Sequence, residues 1–131
     1  MDTAKDISGL ADIQLLVDDF YGQVRKDPLL GPIFEKVIQD RWPEHLEKMY
    51  RFWQTVLLEE HTYYGSPFPP HAKVPVATAH FDTWLGIWHQ TVDRHFKGSK
   101  AEEAKWRGDK MAAMFLSKIE YYQQNSGTPL L

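Results

Sequence analysis

At 131 residues, 43% hydrophobic and 25% charged, the chain has the size and composition of one domain with one core. A formal net charge of −3 without any basic block argues against nucleic acid as a partner, and no apolar run approaches the roughly 20 residues that cross a bilayer. The absence of cysteine removes disulfides, thiolate nucleophiles and cysteine-ligated metals.

The spacing predicts a helix over residues 7–26, with Leu16, Val17, Phe20, Tyr21 and Val24 on one apolar face. Gly9 interrupts its start, so a short helix ahead of the main one is expected. Asp27-Pro28 stops it, because proline disfavours helix in the preceding residue. Leu29 to Phe34 then reads as a compact apolar connector. Asp40 is the expected cap of the next helix, with Trp42-Pro43 in its first turn and its end near Leu58. His45, Met49, Phe52, Trp53, Val56 and Leu57 share one face of it. Residues 59–75 are punctuated by Gly65, Pro67, Pro69, Pro70 and Pro75 and read as irregular. Thr78 is the expected cap of a helix through Phe96, with Phe81, Trp84, Leu85, Trp88 and Val92 inward. Ser99 and Glu102 have the spacing of a capping box and open the last helix, which carries Met111, Ala112, Phe115, Ile119 and Tyr122. No strand-like alternation and no internal repeat is visible. The fold class is all-α: four main helices in a single domain over 1–131, with 1–6 and 124–131 expected to fray.

Five Trp, six Tyr and seven Phe are more aromatic surface than a core of this size needs, and such side chains line pockets for flat ligands. Of the six histidines, His71 stands apart. It follows Pro69-Pro70 inside the irregular segment, where a stiffened backbone could present a neutral imidazole nitrogen to a metal, or where it is simply a solvated loop residue. His45 and Tyr21 sit on inner helix faces. Each polar group needs a hydrogen-bond partner, found either locally or in a shared cavity. Trp84 is core packing or an N–H donor. Phosphate loops, a Gly-x-Ser-x-Gly elbow and a His-Glu-x-x-His zinc site are all missing from the sequence.

Three fragments together resemble the truncated haemoglobins, and among them the third group. Phe20-Tyr21-x-x-Val24-Arg25-x-Asp27-x-x-Leu30-Gly31-Pro32-Ile33-Phe34 is similar to that group's second helix and the corner after it. Trp42-x-x-His45-x-x-x-Met49-x-x-Phe52-Trp53 is similar to its distal helix. Pro70-His71, Val74-Pro75 and His80-Phe81-x-x-Trp84-Leu85 are similar to its proximal loop and the following helix. The resemblance implies a two-over-two helical sandwich around haem b. His71 would be the proximal iron ligand, and Tyr21, His45 and Trp84 the distal donors. Phe34, Met49, Phe52, Trp53, Trp84 and Trp88 would join His45 and His71 in holding the porphyrin. Lys73 and Arg51 are the candidates to meet its propionates.

From the resemblance, the expected activity is binding of O2, NO or CO at a five-coordinate iron, for oxygen binding, transport or sensing. The alternative is an enzyme, an NO dioxygenase or a peroxidase-like catalyst fed by an external reductase. His45, on a helix edge, could also swing outward and gate access. The N-terminal residues lack a signal-peptide layout, so a cytoplasmic location is expected, with a monomer as the default state.

Overall fold

The structure, a computed structural model, describes residues 4–61, 63 and 77–124. Five helices follow one another: α1 (Leu10–Lys26), α2 (Gly31–Ile38), α3 (Trp42–Leu58), α4 (Thr78–His95) and α5 (Ser99–Gln124). α1 packs on α3 and on α4, α4 packs on α5, and α3 touches α5. The result is two pairs of helices laid across each other, as the two-over-two reading expects. Most of the segment expected to be irregular, with His71 and Lys73 in it, lies outside the described residues.

α1 forms because Ile13, Leu16, Val17, Phe20, Tyr21 and Val24 recur at helical spacing and are all buried. No short helix precedes it among the described residues. Residues 4–8 form an extended arm, and the Asp12 carboxylate accepts the backbone N–H groups of Ser8 and Gly9 to open α1. Asp27 closes α1 as expected, and its side chain accepts the N–H groups of Leu29 and Leu30.

The expected apolar connector is in fact the start of α2. Pro32 sits in its first turn, where a missing N–H costs nothing. Gly31 is needed there, since a Cβ would stand 2.6 Å from the Arg25 carbonyl oxygen. Asp40 does not cap α3. Arg41 occupies that position, with its guanidinium donating to the carbonyl oxygens of Val37 and Ile38 at the end of α2. Likewise Ala77, not Thr78, precedes α4, and its N–H donates to His80 Nδ1 at 3.0 Å.

The centre of the fold is Trp88, 1% exposed. Its ring stacks on Trp53 of α3 at 4.6 Å and meets Phe20 of α1 edge-on at 5.1 Å. Its indole N–H donates to the Ala104 carbonyl of α5 at 2.9 Å. α5 can come this close because residue 108 is glycine: a Cβ there would lie 2.7 Å from Trp88 Cδ1.

The N-terminal arm corrects two further expectations. Ser99 and Glu102 do not make the reciprocal box that opens α5. Asp6 caps it from a distance, accepting the N–H groups of Lys100 at 2.9 Å and Ala101 at 2.8 Å. Lys5 pairs with the backbone at Phe96 and Lys97, so residues 5 and 6 are pinned rather than frayed. Gly98, at φ +138°, makes the close passage possible, since a Cβ would meet the Asp6 carboxyl.

Burial penalises the Asp6 carboxylate, but the N–H groups of Lys100, Ala101 and Ile7 and the Ser99 hydroxyl outweigh it and hold its pKa below 3.8. A carboxylate with a depressed folded pKa adds stability above its unfolded pKa and loses it as pH falls through the folded value. Asp6→Asn should therefore cost about 1 kcal/mol at pH 7, and the gap to wild type should narrow below about pH 4. Urea denaturation at both pH values measures it, and a gap independent of pH would refute the assignment.

Candidate functional site

Between the two helix pairs lies a cavity of about 180 Å³. Native interiors keep few voids larger than a water molecule, so a space of this size is built rather than left over. α2 and α3 supply one side with Ile33, Phe34, Val37, Met49, Phe52 and Trp53. α4 and α5 supply the other with Phe81, Trp84, Met111, Phe115 and Ile119, while Phe20 and Tyr21 come from α1. Among the described residues, the polar side chains that line it are Tyr21, His45, His80 and the indoles of Trp53 and Trp84.

Tyr21 is 7% exposed, and burial pushes its hydroxyl pKa upward, so the phenol keeps its proton and remains a donor. That hydroxyl makes no hydrogen bond to another described residue. Its ring meets the His45 imidazole edge-on at 5.0 Å, and Trp42 closes on His45 at 5.7 Å. The Nε2 atom of His45 is shielded from solvent. α1 brings both Phe20 and Tyr21 to the cavity, as adjacent positions 100° apart on one broad face, with Phe20 also reaching Trp88 at the core centre.

Of the residues singled out in the sequence, Tyr21, Phe34, His45, Met49, Phe52, Trp53 and Trp84 all line this one cavity. Trp88 does not. It stacks on Trp53 and, at 6.0 Å, on Trp84, so it backs the wall instead of forming it. Arg51 is not on the wall either. It bonds to Glu47 at 2.8 Å and to Gln54 at 3.1 Å. The α5 contribution and His80 were missed. Met111, Ala112, Phe115 and Ile119 have a core-like spacing, and periodicity cannot distinguish a face that meets another helix from one that meets a void.

An apolar chamber walled by aromatic rings, with a protonated phenol and an imidazole together on one flank, is a globin pocket, and the helix arrangement around it is that of a shortened globin. The comparisons agree. A bacterial-like globin family profile matches residues 5–118. The group 3 truncated hemoglobin ctb of Campylobacter jejuni is 31% identical over 114 residues, covering 84% of this chain and 90% of that protein. A crystal structure of a group III truncated hemoglobin from the same organism superposes with a TM-score of 0.82 at 28% identity, covering 89% of this chain and 95% of that one. The chain belongs to the bacterial-like globin family, as a truncated haemoglobin of the third group. It is thus a haem-binding globin. Among the described residues no helix is long and apolar enough to cross a membrane.

The wall chemistry fits a porphyrin: rings on both sides, and the phenol of the buried Tyr21, whose hydroxyl has no hydrogen-bond partner among the described residues. Deleting a hydroxyl that makes no bond to the described residues removes no bond among them. Tyr21→Phe in the haem-free protein should be neutral or stabilising, within about 1 kcal/mol, by urea denaturation. A loss of 2 kcal/mol or more would mean that the hydroxyl serves the fold.

Proposed function

We propose that this globin binds haem b, with His71 as the axial ligand, and holds a diatomic gas, O2 foremost, against Tyr21 and Trp84. The observation that carries the reading is the Tyr21 hydroxyl: buried, protonated, and on the wall of an apolar cavity without a described partner. Haem, when bound, supplies an iron that accepts one imidazole and leaves a position for the gas.

The chain does the rest. The aromatic walls exclude water, which strengthens any hydrogen bond made inside. Tyr21 Oη and Trp84 Nε1 would be the donors offered to a gas molecule held in the cavity, since fixed N–H and O–H donors stabilise negative charge in a water-excluded site. The His45 imidazole, edge-on to Tyr21, orients the phenol and fills the flank next to it. His71 lies in the segment outside the described residues, so its role here rests on its match to the family's Pro-His pattern ahead of α4.

A donor–acceptor bond of this charged kind is worth about 1.5–3 kcal/mol, or roughly ten- to a hundredfold in dissociation. Tyr21→Phe should raise the O2 off-rate by that factor in stopped flow, and an unchanged off-rate would remove Tyr21 from the role. His71→Gly should lose the Soret signature of the axial imidazole and regain it on adding free imidazole. A normal spectrum in that variant would overturn the ligand assignment.

A further inference from the structure

The polar side chains of the cavity fall into two groups. Tyr21 and His45 are in ring contact with each other, and among the described residues His80 has no ring contact with either. His80 is half-buried, one helical turn before Trp84 at the start of α4. Its protonation pattern is set locally. Nδ1 accepts the Ala77 N–H at 3.0 Å, so the Nδ1 lone pair is in use and the ring's proton resides on Nε2. His80 therefore offers the cavity a fixed N–H donor. Arg51 of α3 does not line the cavity and pairs with Glu47 on the helix surface.

A porphyrin makes two separate polar demands: donors near its centre for a bound gas, and partners for its two carboxylates at the rim. Tyr21 and His45, buried together, suit the first. A half-buried N–H donor removed from that pair suits the second. We infer that His80 holds a haem carboxylate at the mouth of the cavity through Nε2–H. This rests on the haem reading proposed above and replaces Arg51 in the role that the sequence suggested for it.

The test separates binding from helix capping. In His80→Glu the side chain can still accept the Ala77 N–H, because glutamate is favoured at this capping position, but it presents an anion to the carboxylate. In His80→Gln both the acceptor and an N–H donor are kept. Affinities for hemin and for hemin dimethyl ester, which lacks free carboxylates, are measured by absorbance titration and by transfer to apomyoglobin, with circular dichroism as the check on folding. His80→Glu should bind hemin at least about tenfold more weakly than wild type and the ester equally well, while His80→Gln stays within a few-fold of wild type for both. Wild type itself should prefer hemin over the ester, which keeps the inference falsifiable if a variant does not fold. Equal hemin affinity in folded His80→Glu, an equal loss for hemin and ester, or no preference in wild type would overturn the role of His80 alone. Failure of wild type to bind either porphyrin would overturn the haem reading with it.

Discussion

The burial of one indole holds this molecule together. Trp88 touches α1 through Phe20, α3 through Trp53 and α5 through the Ala104 carbonyl and the gap at Gly108. Removing a side chain of this kind from a core costs about 3–5 kcal/mol, a large share of the stability of a small domain. The N–H matters as much as the ring. Buried without an acceptor, it would cost part of what the apolar surface contributes, and the Ala104 carbonyl prevents that.

The cavity depends on this indole as well. Trp53 and Trp84 both line the cavity, and both stack on Trp88. A wall with a stacked ring behind it is held in place even where its front face has nothing solid to lean on. This is how a fold with a large apolar chamber avoids collapsing into it. The core is a sheet of aromatic rings that supports the pocket, so pocket and core cannot be varied independently.

Local sequence patterns place the helices, but long-range contacts finish their ends. Asp6 lies more than ninety positions from the α5 amides that it caps. The Ser99 and Glu102 spacing suggested a self-contained start. The carboxylate brought in by the N-terminal arm took the position because it accepts two amides at once. The arm thereby ties the beginning of the chain to the turn between α4 and α5, closing the sandwich at one end.

By itself the sequence determined the all-α class, the extents of α1, α3 and α4 to within a few residues, and the inward faces that carry Tyr21, His45, Met49 and Trp84. Helical periodicity and proline punctuation encode those features locally, and the three family-like fragments tied them to a globin. Tertiary structure alone decided that the Leu29–Phe34 stretch enters a helix, that Trp88 stands behind the wall, and that α5 and His80 help to line the cavity. Each of these depends on which surface meets which across the sandwich. An apolar stripe has the same spacing whether it faces a neighbouring helix or an open chamber.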